Sequence, residues 1–114
     1  QVTDDHSLLN DYIKMKDLSE EEIENFPHKN VIVRALGMKE TVQVDVTKKQ
    51  PEHEDIYLLC SDGLNAMSSD EEIEKLLVEH QGDLEVACNK LIESANANGG
   101  TDNVTVVLVK VLKD

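Results

Sequence analysis

The chain has 114 residues, enough for one small domain or for part of a larger one. Hydrophobic residues make up 39% of the chain but aromatic residues only 3%, so any core must be aliphatic. The formal net charge of -13 repels phosphates and excludes nucleic acid as a non-specific partner. We expect a cytoplasmic protein without membrane contact, because the sequence has no bilayer-length apolar run and no signal peptide, and because Cys60 and Cys88 are expected to be buried free thiols.

Two short helices are predicted near the start of the chain. The first is expected to be capped by Asp4 or Asp5, because either carboxylate can accept a hydrogen bond from the first turn. Ser19 and Glu22 have the spacing of a capping box, in which each side chain bonds the backbone of the other residue, and they predict the start of a second helix. The glutamates after Ser19 are expected to form a solvated helix face.

Four segments predict strands, and they differ in how many of their faces are apolar. Residues 30–36 form an apolar run, and residues 42–46 alternate valines with polar residues, as in a strand with one solvated face. Residues 55–61 and 103–112 are apolar on both faces, so these two strands are expected to lie in a sheet that is covered on both sides. Such a sheet requires a second layer, for which this chain holds few strands.

Two further helices are predicted between the last two strands. Ser69 and Glu72 again have capping-box spacing and predict the start of the first of them. Asp83 is expected to cap the second, which ends at the Gly99-Gly100 pair. The apolar stripe of that second helix repeats at helical spacing and comprises Leu84, Ala87, Cys88, Leu91, Ile92 and Ala95.

Two acidic turns are the candidates for chemistry. Asp62 follows the strand 55–61, and Asp102 precedes the last strand. An antiparallel pairing of these strands would bring both carboxylates to one end of the sheet, whereas a parallel pairing would separate them by roughly 17–20 Å. The two-helix connection permits either pairing. Converging carboxylates suit a hard cation such as Mg²⁺ or Mn²⁺, and the alternative is that both are ordinary turn residues.

Two other polar residues have two interpretations each. Ser61 has no partner in the sequence that would mark it as a nucleophile, so a structural role of its hydroxyl in the turn is favoured. Arg34 interrupts an apolar segment, and its side chain either pairs with a carboxylate or faces solvent.

Three segments of the chain resemble the protein phosphatase 2C family, the metal-dependent serine/threonine phosphatases of the PPM type. Leu58-Leu59-Cys60-Ser61-Asp62-Gly63-Leu64 is similar to the strand motif of the family, and residues 95–107, with Gly-Gly-Thr-Asp-Asn at their centre, look like its final motif. The region from Asp5-His6-Ser7 to residues 30–37 resembles the segment of the bacterial members that holds a mobile flap. The resemblance therefore runs over nearly the whole chain.

This resemblance implies a fold and a division of the chain. The expected fold class is α+β, as part of a four-layer α-β-β-α sandwich with mainly antiparallel sheets that is incomplete in this chain. Residues 1–114 would be the C-terminal portion of the catalytic domain. Residues 14–36 would form the flap region, where Arg34 is a candidate for controlling substrate access, and residues 55–113 would hold the metal-ligand strands and the paired helices.

The resemblance also implies a metal site and a substrate. The complete family site holds two Mg²⁺ or Mn²⁺ ions, which bind phosphoserine or phosphothreonine of a protein substrate and activate the attacking water. Asp62 and Asp102 would be ligands of one ion, and Asp62 would also contact a third, looser ion found in bacterial members. Asn103 would orient Asp102, and Gly63 would support the ligands without binding metal.

The chain departs from the family in lacking the motifs of its first half, which include a metal-bridging Asp and a phosphate-binding Arg. Half a metal site should bind metal weakly, so the chain alone is expected to be inactive and to pair with the missing N-terminal half or with itself. One alternative is a non-catalytic phosphatase-like module that binds partners. Another is a helical binding module, because residues 81–87 resemble the helix of small ubiquitin-binding domains, although the predicted strands argue against it.

Overall fold

The structure is a computed structural model that describes residues 1–27 and 31–113. The chain divides into two compact units, Gln1–Lys49 and Gln50–Asp114. Within the described ranges, no helix has both the length and the apolar character needed to cross a membrane. The buried hydrophobic residues all belong to the second unit and are Leu64, Ile73, Ala87, Leu91 and Ala95.

The first unit contains helix α1, Leu8–Met15, and helix α2, Glu20–Glu24. Ser7 caps α1 by accepting a hydrogen bond from the backbone of Asn10 at 3.1 Å. The predicted cap at Asp4 or Asp5 is therefore wrong, since the Asp4 carboxylate pairs with Lys14 instead.

The start of α2 follows the sequence prediction. Ser19 accepts from the backbone of Glu22, and the Glu22 carboxylate returns to the backbone of Ser19, so the capping box is complete. The glutamates of α2 are exposed, as expected for a solvated helix face.

The two strands predicted in the first unit are wrong for the residues that the structure describes. Within residues 31–36, Ile32 makes only an isolated antiparallel bridge with Ser7, and residues 42–46 have no strand assignment. Val44 and Val46 are 73% and 79% exposed. Leu8 N–H donates to the Val31 carbonyl and Val33 N–H to the His6 carbonyl, both at 2.9 Å, but this pairing does not extend into a strand. Residues 42–46 have no hydrogen-bonded strand neighbour in the described part of the chain. Asn30, the first residue of the predicted strand, lies outside the described residues.

The second unit holds a two-stranded sheet and three helices. Strand β1, Ile56–Cys60, pairs antiparallel with strand β2, Val106–Lys110. This pairing settles the choice that the sequence left open. The helices between the strands are α3, Asp62–Asn65; α4, Asp70–Glu79; and α5, Leu84–Ala97. The short helix α3 was not predicted.

The core of the second unit lies on one face of the sheet. Leu58, Val106 and Leu108 pack against a cluster that contains Leu64 and Leu91. The other face carries three exposed apolar side chains: Leu59 at 59%, Val107 at 51% and Val109 at 49% exposure. The described residues thus supply no cover for this face, as expected for a chain with few strands, and the predicted second layer stays a prediction. A mixed helix and strand fold with an antiparallel sheet is confirmed, and it excludes an all-helical module.

The predicted starts of α4 and α5 are confirmed. Ser69 accepts a hydrogen bond from the backbone of Glu72 at 3.2 Å, and Asp83 accepts one from Val86 at 3.3 Å. Helix α5 presents Ala87, Leu91 and Ala95 of the predicted stripe to the interior.

The two cysteines are free thiols, as expected, but they are not both buried. Cys60 is exposed and Cys88 is partly buried. Cys60 is exposed at the end of β1, where the described residues provide no second sheet layer. Desolvation and, secondarily, the Asp62 carboxylate raise the pKa of its thiol, so Cys60 is protonated at neutral pH.

Candidate metal centre

The antiparallel pairing brings the two acidic turns to the same end of the sheet. Strand β1 ends at Cys60, which lies opposite Val106 at the start of β2. Asp62 follows the end of β1 and begins α3, and Asp102 precedes the start of β2. Both aspartates are exposed. The structure thus places the two predicted ligands in turns that meet at one rim, which we call the two-carboxylate site.

Ser61 joins the two turns beyond the last strand pair. Its backbone N–H donates to the carbonyl of Thr105 at 3.0 Å, and its hydroxyl oxygen accepts from the N–H of Thr105 at 3.0 Å. The same hydroxyl donates to the carbonyl of Asn103 at 3.3 Å. These bonds show the structural role that the sequence favoured for Ser61.

Gly63 allows the two turns to come into contact. A Cβ atom built on Gly63 would lie 2.1 Å from the backbone oxygen of Asn103 and 3.0 Å from its carbonyl carbon. No side chain fits such a distance, because both atoms belong to the backbone and cannot swing away. Gly63 therefore fixes how closely the Asp62 turn approaches the Asp102 turn, without itself offering a ligand.

The Asp102 carboxylate is held by the residue that follows it. The N–H of Asn103 donates to Oδ1 of Asp102 at 2.7 Å. This bond limits the rotation of the carboxylate, and the orienting role of Asn103 stays a prediction. The orienting contact runs through the Asn103 backbone.

The donor set fits a hard cation but supplies only part of its coordination. Asp62 and Asp102 offer carboxylate oxygens, which Mg²⁺ and Mn²⁺ prefer, and exposure leaves room for the waters that these ions retain. Within residues 1–27 and 31–113, no group of three or more His, Cys, Asp or Glu side chains could hold a metal ion. The two-carboxylate site is thus suited to an ion that takes its other ligands from water and from a further segment.

Arg34 lies in the first unit and pairs with a carboxylate, one of the two interpretations that the sequence left open. Its Nη1 donates to Oδ1 of Asp45 at 2.7 Å and to the carbonyl of Gln43 at 3.3 Å. The other oxygen of Asp45 lies 2.9 Å from Nε2 of His6. The bonds from His6 and then from Arg34 hold the pKa of Asp45 below its ordinary value.

Sequence reasoning missed the role of Glu72. Its carboxylate faces mainly away from its own cap, because the Ser69 backbone contributes less to lowering its pKa than Ser94 and Asn98 do. Instead, it accepts from the hydroxyl of Ser94 at 2.8 Å and from Nδ2 of Asn98 at 3.3 and 3.2 Å. Ser94 and Asn98 are four residues apart and share a face of α5, which is the signal that could have indicated a partner for Glu72. The bonds from Ser94 and then Asn98 lower the pKa of Glu72.

The chain matches a family model and curated bacterial phosphatases. The family model described as stage II sporulation protein E (SpoIIE) matches residues 19–112, so the chain belongs to this family. It is 39% identical over 110 residues to the serine/threonine phosphatase stp of Listeria monocytogenes, covering 96% of this chain and 43% of that protein. It is 40% identical over 113 residues to the protein phosphatase PhpP of Streptococcus pneumoniae, covering 97% and 45%.

Solved structures of bacterial phosphatases have the same fold. The serine/threonine phosphatase PstP/Ppp of Mycobacterium tuberculosis matches with a TM-score of 0.86 and 34% identity, over 100% of this chain and 47% of that chain. A structure of the PstP catalytic domain in complex with two manganese ions matches with a TM-score of 0.80 and 34% identity, over 99% and 45%. The resemblance to PPM phosphatases is therefore confirmed. The chain spans less than half the length of the relatives it matches.

Proposed function

We propose that this chain supplies Asp62 and Asp102 as ligands of a divalent-cation site in a protein serine/threonine phosphatase. The observation that carries the proposal is the antiparallel pairing of β1 with β2, which brings the turns of both aspartates to one end of the sheet. The names of the bacterial relatives supply the substrate class, phosphoserine and phosphothreonine in proteins. Residues 1–114 would be the C-terminal portion of the catalytic domain.

The cation would supply a water of lowered pKa as the nucleophile and would stabilise the charge that develops on the phosphoryl group. The residues of this chain would bind and orient. Asp62 and Asp102 would provide ligand oxygens, and the Asn103 N–H would keep the Asp102 carboxylate in one orientation. Gly63 would permit the close approach of the two turns.

We propose Mg²⁺ or Mn²⁺ as the cation, with two ions in the complete site and a third, looser ion at Asp62. Support comes from the oxygen-only donors of this chain and from the structure of PstP, which holds two manganese ions. Because the two carboxylates provide only part of a coordination sphere, we expect the chain alone to bind metal weakly and to be inactive.

The exposed face of the sheet indicates where the rest of the site would come from. Leu59, Val107 and Val109 form an apolar patch on the face opposite the core. In the four-layer sandwich that we propose, a second sheet contributed by the N-terminal half of the domain would cover this patch. Alternatively, a second copy of the chain would cover the patch. Size-exclusion chromatography of the isolated chain distinguishes these two possibilities, because a dimer forms without the N-terminal half only in the second.

The first unit would contribute residues to the flap. We propose that residues 14–36 belong to a flap region that shapes access of the phosphorylated protein substrate. Arg34 would support this region through its bonds to Asp45 and to the carbonyl of Gln43. A cytoplasmic location is proposed as well, and the two free thiols support it, since reducing compartments keep cysteines unpaired.

The test is Mn²⁺-dependent hydrolysis of a phosphothreonine peptide by this chain mixed with the N-terminal part of PhpP that it does not match. We expect turnover by the mixture only. Asp62→Asn and Asp102→Asn should each reduce turnover by roughly 100-fold or more, because each removes a ligand charge. Asp70→Asn is the matched control, since Asp70 is an exposed acid of α4 to which the proposal assigns no role, and it should keep full turnover.

Two results would contradict the proposal. Turnover that survives Asp62→Asn and Asp102→Asn would remove both aspartates from the site. A mixture that associates and binds Mn²⁺ but hydrolyses nothing would favour the non-catalytic, partner-binding module.

A further inference from the structure

The turn that carries Asp102 begins with two glycines at the end of α5. It leaves α5 through Gly99 and Gly100, whose φ angles are +142° and +56°. Glycine adopts positive φ readily, and here the two glycines are bonded to the last turn of α5: Gly99 N–H donates to the Asn96 carbonyl at 3.3 Å, and Gly100 N–H donates to the Ala95 carbonyl at 3.1 Å. The position of the Asp102 turn therefore depends on the position of the end of α5, to which its first residues are bonded.

The Glu72 carboxylate makes contacts at the end of α5. It accepts from Nδ2 of Asn98, the residue that caps the C-terminus of α5 immediately before the two glycines. It also accepts from the hydroxyl of Ser94, one turn earlier. Charge-assisted bonds of this kind are stronger than bonds between neutral groups. Glu72 thus fixes the helix end from which the Asp102 turn departs.

The hydrogen bonds among Glu72, Ser94 and Asn98 form a network that extends to the segment that follows Asp62. The hydroxyl of Ser68, which is only 2% exposed, lies 3.1 Å from that of Ser94 and 3.5 Å from Nδ2 of Asn98. Because Ser94 donates its single hydroxyl hydrogen to Glu72, Ser68 is the donor to Ser94. Ser68 follows α3, the helix that Asp62 begins. The network therefore joins the two segments that carry the predicted ligands.

The Ser-x-x-Glu spacing does not by itself direct the glutamate to a neighbouring helix, because the chain contains a second example that behaves differently. Ser19 and Glu22 at the start of α2 have the same spacing as Ser69 and Glu72, and there the glutamate returns to its own cap. At α4 the serine makes its half of the box, but the glutamate crosses to α5. The carboxylate of Glu72 is thus bonded mainly to α5 and only secondarily to its own cap.

We propose that Glu72 is a positioning residue that, through Asn98, Ser94 and Ser68, holds the Asp102 turn at a fixed place beside the Asp62 segment. This inference rests on the proposed function, in which Asp102 binds a cation. Glu72 would not touch the ion. Its effect on affinity would resemble that of other residues that orient metal ligands, whose loss weakens metal binding by about 10–100-fold.

The test compares Glu72→Ala with two control variants of the 114-residue chain. Glu74→Ala removes an exposed charge from the same helix, and Ile73→Val weakens the core of the same helix without touching the network. Amide hydrogen exchange of residues 99–103 is measured without metal, and the Mn²⁺ dissociation constant is measured by electron paramagnetic resonance. We expect Glu72→Ala to speed the exchange and to raise the dissociation constant about tenfold, and neither control to do so.

Two outcomes overturn the inference. One is exchange in Glu72→Ala that is no faster than in Glu74→Ala. The other is Mn²⁺ binding that is no weaker than in Ile73→Val. Asp102→Asn tests the metal assignment separately. If this variant binds Mn²⁺ as tightly as the unchanged chain, Asp102 is not a metal ligand and the proposed function fails. The hydrogen exchange measured without metal then decides alone whether Glu72 holds the turn.

Discussion

At the scale of single residues, the contact between Gly63 and Asn103 does most to bring the two acidic turns together. Gly63 is buried, and it approaches the Asn103 carbonyl so closely that a Cβ would lie at 2.1 Å. Elsewhere in a helix, alanine is preferred to glycine by roughly 0.5–1 kcal/mol. At Gly63 the clash with the backbone outweighs this preference.

We therefore predict that Gly63→Ala lowers the free energy of unfolding by about 1–3 kcal/mol, the usual cost of forcing an extra methyl group into a packed site. Chemical denaturation of the chain measures it. Gly82→Ala is the matched control, because a Cβ on Gly82 meets nothing within 4 Å. Gly82→Ala should leave stability unchanged or raise it by up to about 1 kcal/mol. Equal effects of the two substitutions would contradict the close contact at Gly63.

At the scale of helices and strands, Glu72 makes the association of α4 with α5 dependent on pH. The bonds from Ser94 and Asn98 favour the carboxylate, so the pKa of Glu72 is lower in the folded chain than in the unfolded chain. The ionised Glu72 carboxylate therefore stabilises the folded chain fully above the pKa of the unfolded chain, about 4.3. This stabilisation is lost as the pH falls through the lower pKa of the folded chain. The residues that bond Glu72, including Ser69 through its backbone, carry no charge of their own.

We predict that Glu72→Gln lowers the melting temperature of the chain at pH 7 and that this difference shrinks as the pH falls below about 4. Thermal unfolding followed by circular dichroism at pH 7 and at pH 3 measures it. Glu74→Gln, an exposed change on the same helix, should alter the melting temperature little at either pH. A constant difference between Glu72→Gln and the unchanged chain would show that the charge of Glu72 is not involved.

The helices were predicted better than the strands, for a physical reason. The caps at Ser19, Ser69 and Asp83 are local, because each side chain bonds a backbone group three residues away. The strands predicted at 30–36 and 42–46 depend on a partner strand that can be distant in sequence, so an apolar or alternating pattern does not suffice to predict them.

In the candidate site, too, only the features with a local sequence signal could be predicted. Asp62 and Asp102 could be selected from short motifs, and the antiparallel pairing agreed with one of the two arrangements that the sequence allowed. The direction of the Glu72 side chain could not be predicted from the sequence. The same Ser-x-x-Glu spacing gives a complete capping box at α2, whereas at α4 the glutamate bonds mainly to α5. Only the packing of α5 beside α4 distinguishes the two cases.

At the scale of the whole molecule, the two units differ in what holds them together. The second unit contains the buried hydrophobic residues of the described chain, whereas the helices of the first unit bury none of their residues. Tyr12 and Phe26 of the first unit contact each other with ring centroids 5.2 Å apart, but Tyr12 remains exposed.

We therefore predict that residues 50–114 fold without residues 1–49. The division falls at Lys49, so brief trypsin digestion should cut at Lys48 or Lys49 and leave a resistant fragment. This fragment, expressed alone, should keep a cooperative thermal transition and the amide exchange protection of α5, while residues 1–49 alone should show neither. Loss of the transition in residues 50–114 would mean that their core needs the first unit.

The pairing of β1 with β2 also determines when the two carboxylates meet during folding. About 45 residues separate the paired strand ends, and closing a loop of this length costs conformational entropy that the nearby contacts between α4 and α5 avoid. The helices can therefore form before the strands join. We expect Asp62 and Asp102 to come together in this later step, so that a partly folded chain does not present both carboxylates to a cation and metal capture follows completion of the fold.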